Sequence, residues 1–256
     1  MENLKLENYT YTQLKDLATN MDLKIHRSKK VLIEEITIAF KEYKDYKTEK
    51  IDKYIKGNQL GEKGQQGTTY SVLTADGIEY AMKTFRKHKS STNLQKEFDL
   101  QKLAANCGAC GNVIDLDTVS KYIIMEKMDF HLVDVLKEQG TLTKLQQKQI
   151  IHIYKKLDDA KVFHGDANLL NYMYKGSKLR IIDFGSASAI TPSLIRKLGT
   201  DTPNITIMTL GLILKLKDMK YPKTSYEYLI KYLTDEQRLQ FGLVLKKNLI
   251  KSKDKI

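Results

Sequence analysis

The sequence is poor in cysteine and proline and has no long apolar run. Its two cysteines, Cys107 and Cys110, cannot cross-link a chain of 256 residues, and a single C-x-x-C pair lacks the second ligand pair of a zinc site. Three prolines give little reason to propose a stiff linker. The longest nearly apolar run, Ile205–Leu214, is far shorter than the about 20 residues that span a bilayer. Because the first ten residues contain no apolar segment typical of a secretory signal, we expect an intracellular protein without a membrane span.

Positive charge and an ordinary apolar content are what the sequence does have. Forty-three lysines and arginines against 31 acidic residues give a net charge of +12. This excess favours acidic partners, such as nucleotide phosphates, nucleic acid, acidic proteins or anionic lipid, without choosing among them. With 41% hydrophobic and 29% charged residues, the composition excludes disorder throughout and fits one or two soluble domains.

The N-terminal region has the pattern of two short helices. Apolar residues recur at helical spacing over 11–18 and again over 31–43, and Ser28 can cap the second helix. Residues 11–40 resemble the SAP-like helix-extension-helix module, which implies possible DNA contact through residues 11–45. A local basic cluster supports this interpretation, and it consists of Lys24, Arg27, Lys29 and Lys30. The alternative is a small helical prefix that packs on the main domain.

Beyond Lys53 the pattern changes to strands and then to helices. Apolar alternation predicts a hairpin that turns at residues 75–77, a helix over 94–105 and a strand over 121–125. The remainder is mainly helical, with one short hairpin over 172–182. The predicted later helices span residues 145–160, 205–216 and 226–249. A β-rich half followed by an α-rich half predicts an α+β fold.

Two features of the β-rich half are typical of a phosphate site. Gly61, Gly64 and Gly67 lie at three-residue intervals before a strand, and glycine lets the backbone approach a phosphate because no Cβ intervenes. Such glycines are more often ordinary turn residues. Lys83 follows the apolar residues of the next strand, so we expect it to point into a cleft where its charge needs an anion. Glu97, on the next helix, can supply its ion-pair partner.

Two segments in the α-rich half supply the other groups that phosphoryl transfer needs. Residues 164–171 read H-G-D-A-N-L-L-N, and residues 181–185 read I-I-D-F-G. Asp166 would orient or deprotonate an acceptor hydroxyl, while Asn171 and Asp183 would ligate magnesium. Each carboxylate alone could be a helix cap or a turn residue. Their order and spacing together indicate an ATP-dependent phosphotransferase.

These motifs make the chain similar to protein kinases over Leu60–Leu216. The resemblance implies an α+β, two-lobed kinase-like fold with a reduced C-lobe, and it implies ATP and Mg²⁺ as cofactors and a protein as substrate. The implied domains are a helical module over 1–50 and a kinase-like domain over 51–256, with an N-lobe over 51–128 and a C-lobe over 129–256. We expect Lys83 to lie near Asp183 and away from bulk water.

The resemblance also assigns roles to individual residues. The catalytic residues would be Asp166, Lys83 and Glu97, and the magnesium ligands would be Asn171 and Asp183. Glu126 and Met128 would offer backbone groups to the adenine. The complete set of nucleotide-binding residues would be Leu60, Gly61, Gly64, Gly67, Val72, Lys83, Glu126 and Met128.

More narrowly, the chain resembles serine/threonine kinases of large DNA viruses and, less closely, the compact kinase of the tRNA-threonylcarbamoylation complex. The viral likeness implies the cytoplasm or nucleus of a host cell. Some positions depart from the kinase pattern. The glycine segment reads G-x-x-G-x-x-G, which favours Gly64 and Gly67 as the phosphate contacts. Gly165 replaces the usual arginine, so control by activation-loop phosphorylation is not expected. Asn168 replaces the usual lysine, and no A-P-E segment follows Asp183.

Three functions remain open from the sequence. The leading one is a protein serine/threonine kinase, with the type of acceptor hydroxyl undecided. The second is a small-molecule kinase of the aminoglycoside or choline type, in which H-G-D-x-x-x-x-N is also usual. The third is a non-catalytic, DNA-associated binding module, which the joint presence of Lys83, Glu97, Asp166, Asn171 and Asp183 disfavours.

Overall fold

The computed structural model describes residues 6–21, 23–39, 53–62, 64 and 66–243. These residues form two compact units, of which the first contains the N-terminal helices with residues 53–56 and 73–78. The second unit contains the described part of 57–72 and residues 79–243. The predicted domain boundary after residue 50 lies outside the described residues.

The N-terminal unit contains two helices around a small apolar core. Helix α1 spans Tyr11–Asn20, and Thr10 begins it with a capping box, since its hydroxyl accepts the Gln13 N–H while the Gln13 side chain accepts the Thr10 N–H. The described part of α2 covers 29–39, and the Ser28 hydroxyl accepts a hydrogen bond from its first turn. The predicted continuation to residue 43 lies outside the described residues. The buried core consists of Leu6, Leu14, Ala18, Leu32 and Ile36.

A five-stranded sheet has the order β1-β2-β3-β5-β4. Strands β3 and β5 pair antiparallel with Lys83 opposite Ile123, and β4 pairs antiparallel with β5. The β2–β3 hairpin agrees with the predicted one. The strands are β1 (Tyr54–Leu60), β2 (Gly67–Thr74), β3 (Glu79–Phe85), β4 (Val113–Asp117) and β5 (Tyr122–Glu126).

Helix α3, over Ser91–Asn106, lies between β3 and β4 in the chain and contributes to the same core as the sheet. Ser90 begins the helix by accepting the Asn93 N–H on its hydroxyl. Leu94 is buried with Phe85 and Ile123 of the sheet. Glu97 occupies another buried position of α3, where a carboxylate is rare unless it is paired.

The α-rich half combines helices with two small sheets. Residues 172–181 form the predicted hairpin, β8 and β9, which extends to β6, while β7 pairs with β10. The short strands are β6 (Phe130–His131), β7 (Val162–Phe163), β8 (Tyr172–Lys175), β9 (Lys178–Ile181) and β10 (Ser188–Ala189). The helices are α4 (Leu132–Gln139), α5 (Lys144–Asp159), α6 (Pro192–Leu198), α7 (Thr209–Asp218) and α8 (Asp235–Gln240), and a π-helical turn over Asn204–Met208 leads into α7.

Helix α5 is the centre of the main core. Its buried residues Ile150, Ile153, Tyr154 and Leu157 follow helical spacing, which explains why the sequence predicts this helix to within one residue at each end. Each fully buried aliphatic side chain stabilises the fold by about 1.5–3 kcal/mol. The Tyr154 hydroxyl also hydrogen-bonds the Tyr172 hydroxyl, so α5 is tied to β8 at the base of the predicted catalytic segment.

The predicted helix over 226–249 is wrong in its described part. The chain there forms a 3₁₀ turn over Leu229–Tyr232 and then the short helix α8. Leu233 is extended, and Thr234 starts α8 with its own capping box, so the helix is interrupted although the apolar spacing of the sequence stays helical. Residues 244–249 lie outside the described residues. None of the described helices is both long and apolar enough to cross a membrane.

Candidate active site

Lys83 joins two acidic residues that are far apart in the sequence. Its Nζ donates to Glu97 Oε1 at 2.8 Å and to Asp183 Oδ1 at 2.7 Å, although Asp183 is 100 residues away. The Lys83 side chain is 13% exposed and that of Glu97 is 3% exposed. The ammonium therefore lies in a cleft between β3, α3 and the segment after β9, and it does not face bulk water.

The opposite charges of Lys83 and its carboxylate partners stabilise the charged form of each group. Burial by itself lowers the pKa of Lys83, but the carboxylates of Glu97 and Asp183 outweigh it and raise the pKa above its ordinary value. Burial likewise raises the pKa of Asp183, but Lys83 and the Gly185 N–H hold that pKa below its ordinary value. At neutral pH the site therefore holds an ammonium and a carboxylate in direct contact.

A second ammonium, which the sequence analysis did not single out, contacts the same glutamate. Lys89 Nζ donates to Glu97 Oε2 and, at 3.1 Å, to Gln66 Oε1. The ammoniums of Lys83 and Lys89 lie 5.0 Å and 4.5 Å from the centre of the Phe85 ring. No local pattern marks Lys89, because it is one of several charged residues in the connection between β3 and α3.

Asp166 is held by the backbone and side chain of its own segment. Its Oδ1 accepts the Asn168 N–H at 3.1 Å, and its Oδ2 accepts the Asn171 side-chain N–H at 2.9 Å. Asn171 is buried and uses its amide nitrogen on Asp166, so its amide oxygen is the atom suited to a cation. This geometry fixes the carboxylate without occupying all of its lone pairs.

His164 connects the two motif segments. Its Nε2 lies 3.0 Å from the Ile182 carbonyl oxygen and its Nδ1 lies 3.1 Å from the Asp166 carbonyl oxygen. Burial lowers the pKa of His164 although both carbonyls favour the charged ring. The Ile182 N–H also donates to the Asn171 carbonyl at 2.8 Å, so Asn171 and Asp183 are brought to adjacent positions.

A buried polar pair that no sequence motif marks holds the backbone of the segment at His164. The His164 backbone N–H donates to Asn204 Oδ1 at 3.0 Å, and Asn204 Nδ2 donates to Asp158 Oδ1 at 2.7 Å. Asp158 also accepts the backbone N–H groups of Asn204 and Ile205, which begin the π-helical turn. Burial raises the pKa of Asp158 despite these three donors.

The three glycines of the glycine segment, of which Gly67 is the first residue of β2, have different local environments. A Cβ on Gly67 would collide with the Thr84 carbonyl oxygen of β3, so the close approach of two strands requires glycine there. Gly61 has a positive φ of 68°, whereas Gly64 is exposed and its nearest contact would be ordinary. Their predicted phosphate contacts stay predictions, because strand packing and turn geometry already explain two of the three.

The other predicted nucleotide-binding residues lie on the sheet or just after it. Val72 is buried in β2, Leu60 is half-buried at the end of β1, and Met128 is buried two residues after β5. Glu126, at the end of β5, donates its N–H to the Asn112 carbonyl and accepts the Asn112 N–H on Oε2. Their contacts with adenine stay predictions.

The groups gathered here fit magnesium and a triphosphate. Asp183 and Asn171 offer a carboxylate and an amide oxygen, which are the ligands that Mg²⁺ prefers, and Lys83 offers a cation to phosphate oxygens. Within the described part of the chain, no group of three or more His, Cys, Asp or Glu side chains forms a metal cluster. Magnesium bound mainly through phosphates and one or two protein oxygens needs no such cluster.

Comparison with known families identifies the chain. Residues 54–204, more than half of the chain, match the protein kinase domain. The chain belongs to the protein kinase family. Family membership confirms the predicted α+β kinase-like fold and the predicted likeness to protein kinases.

Two curated kinases are similar to this protein kinase. "Probable serine/threonine-protein kinase" of Encephalitozoon cuniculi is 27% identical over 51% of this chain and 26% of its own length. "Calcium-dependent protein kinase 27" of Oryza sativa subsp. japonica is 30% identical over 54% of this chain and 25% of its own length. The match thus spans about a quarter of each relative. The viral likeness and the SAP-like character of the N-terminal helices stay predictions.

Proposed function

We propose that this protein kinase transfers the γ-phosphoryl group of ATP, with Mg²⁺, to a serine or threonine hydroxyl of a protein. The observation that carries the proposal is the Lys83 ammonium, which bridges Glu97 and Asp183 at 2.8 and 2.7 Å. An ion-paired lysine beside a metal-ligating carboxylate is the arrangement that phosphoryl transfer requires. The name of the Encephalitozoon cuniculi relative supports a serine or threonine acceptor, and the name of the Oryza sativa relative supports a protein substrate.

Lys83 and Glu97 act on the phosphates. Glu97 holds the Lys83 side chain in the cleft, and the ammonium binds phosphate oxygens when nucleotide is present. Asp183 and Asn171 hold Mg²⁺, which, when bound, neutralises phosphate charge. Because Asp183 lies against Lys83, the same small region presents both charges to the triphosphate.

Asp166 acts on the acceptor. Its carboxylate orients the hydroxyl and takes up its proton, while the Asn168 N–H and the Asn171 amide fix its direction. No covalent enzyme intermediate is needed, since positioning and charge complementarity account for the rate. Adenine binds against Leu60, Val72 and the chain from Glu126 to Met128, and the glycine segment covers the phosphates.

A transfer assay with labelled ATP, Mg²⁺ and a generic acidic protein tests the proposal. Wild-type protein should transfer label, and Asp166→Asn should lower the rate by about 10²- to 10⁴-fold, because the general base is lost. Asp183→Asn should lower it similarly. Asp134→Asn, an exposed aspartate on α4, is the matched control and should keep the wild-type rate. Transfer that survives in both active-site variants would reject the assignment.

The acceptor can be identified from the product. Phosphoamino-acid analysis should recover phosphoserine or phosphothreonine. Phosphorylation of a small amino alcohol, with none of the acidic protein, would instead assign a small-molecule kinase.

We propose further that the N-terminal helices contact DNA phosphates. Lys24, Arg27, Lys29 and Lys30 are all exposed around the extended segment and the first turn of α2. Four clustered basic side chains form an electrostatic footprint suited to a phosphate backbone. Replacing all four by alanine should abolish a salt-sensitive mobility shift of duplex DNA. The control variant Lys15→Ala, on exposed α1 surface, should keep the shift. Absence of any wild-type shift at low salt would end the proposal.

A further inference from the structure

Glu97 is paired with more positive charge than it needs for neutrality. One carboxylate oxygen accepts Lys83 and the other accepts Lys89. All three side chains are largely buried, with exposed fractions of 3% for Glu97 and 13% for each lysine. Since a buried ammonium is costly unless it is paired, the second lysine needs a reason to be there.

Lys89 belongs to a cluster of four charged side chains. In the structure two ammoniums face two carboxylates, because Lys83 also contacts Asp183. Once Asp183 ligates magnesium and Lys83 binds phosphate, Glu97 would have to share Lys83 with a competing anion. Lys89 contacts the other oxygen of Glu97, so it would keep that carboxylate paired when nucleotide and magnesium are bound.

Lys89 also reaches the segment that precedes β2. Its ammonium donates to Gln66 Oε1, and the Gln66 carbonyl accepts the Arg86 N–H at 3.2 Å. The Gln66 side chain lies directly against Gly185, where an added Cβ would collide with it. Lys89 therefore connects α3, the glycine segment and the segment that carries Asp183.

We propose that Lys89 is a positioning residue for nucleotide binding: it holds Glu97 and Gln66 in place so that Lys83 is free to bind phosphate. This inference rests on the proposed function. Lys89 contacts no reacting atom in this scheme and acts through its two partners. Without Lys89, Glu97 and the triphosphate compete for the Lys83 ammonium, and the affinity for nucleotide falls.

The test measures nucleotide binding and turnover separately. Lys89→Met should raise both the KM for ATP and the Kd of a non-hydrolysable ATP analogue with Mg²⁺ by about 10- to 100-fold, the cost of a misplaced positioning group. The KM for the protein substrate should stay unchanged, and Lys89→Arg should recover most of the affinity. Lys87→Met, an exposed lysine two residues away, is the control and should match wild type. Melting curves check that every variant is folded.

A double-mutant cycle shows whether Lys89 acts through Glu97. On a Glu97→Gln background, Lys89→Met should cost clearly less affinity than it does in the wild type, because the charge it stabilises is absent. Full additivity, or a Lys89→Met Kd equal to that of wild type, overturns the inference. A wild-type chain that binds the analogue without transferring phosphate rejects the proposed function, and the Kd comparison still decides the role of Lys89. A wild-type chain that binds no nucleotide rejects both.

Discussion

His164 is a buried titratable ring between two carbonyl oxygens. A neutral imidazole has one N–H to donate, so it can satisfy the Asp166 carbonyl or the Ile182 carbonyl but not both. Burial nevertheless dominates and lowers the pKa of the ring. At neutral pH the two motif segments are therefore joined by an uncharged contact.

We expect an NMR titration to give His164 a pKa below about 6.5, the ordinary value for histidine. Because the folded-state pKa is lowered, the stability that the ring contributes is present above about pH 6.5 and decreases as pH falls toward the folded-state pKa. Urea unfolding at pH 7.5 and 5.5 measures this loss. A His164 ring that titrates at or above the ordinary value contradicts the prediction.

Asn204 tests the buried anchor under the catalytic segment. Asn204→Asp places a second carboxylate against Asp158 and removes an amide donor, so we expect a loss of about 3–5 kcal/mol in unfolding free energy at pH 7. The loss should shrink on acidification, since one proton relieves the repulsion. Combining it with Asp158→Asn restores a single carboxylate and should recover part of the stability, because asparagine keeps only one acceptor oxygen for the N–H groups of Asn204 and Ile205. Chemical denaturation measures all three variants, and equal stability of Asn204→Asp and wild type would disprove the anchor.

At the scale of elements, two glycines of the same segment should behave differently. Gly67→Ala forces a methyl group against the Thr84 carbonyl of β3, and such overpacking costs about 1–3 kcal/mol. Gly64→Ala adds a methyl group that makes only an ordinary contact, at 3.5 Å from the Gly67 carbonyl oxygen, and should leave the melting temperature unchanged. Thermal unfolding followed by circular dichroism separates them. Equal melting temperatures would show that β2 adjusts to the added methyl group.

Elements with regular periodicity are the ones that the sequence predicts well. Helix α5 and the β8–β9 hairpin lie where the apolar spacing indicates them, because each buries one continuous face. The stretch over 226–243 does not, since Leu233 interrupts a pattern that remains helical in spacing. A single extended residue before a capping threonine has little weight in an apolar average.

The site residues likewise divide into those that the sequence predicts and those that it does not. Lys83, Glu97, Asp166, Asn171 and Asp183 are recognisable because their spacing belongs to a known motif, and the structure brings them into one region, although their roles remain proposals. Lys89, Gln66, Asn204 and Asp158 escape notice because their contacts are made between distant segments. Polar tertiary contacts leave no period in the sequence, so only the folded chain reveals them.

For the whole molecule, ligand binding should raise the free energy of unfolding. Mg²⁺ and ATP at about 100 times the Kd should add about 2.7 kcal/mol to the unfolding free energy, since they bind the folded state alone. For a chain of this size the melting temperature should rise by roughly 5–10 °C. Chelation of the metal should reduce the shift, and Lys83→Met should abolish it. If nucleotide does not change the melting temperature of the wild-type protein, the proposed nucleotide site is rejected.

Because Glu97 contacts both Lys83 and Lys89, it keeps one ionic partner when either lysine is replaced. If Lys83 is replaced, Glu97 stays paired with Lys89, so loss of the ammonium that we propose to bind phosphate does not leave this buried carboxylate of α3 unpaired. We expect the Lys83→Met variant to be folded and catalytically inactive and still to bind its protein substrate. When overproduced in cells, this variant should co-purify with the natural substrate, which can then be identified.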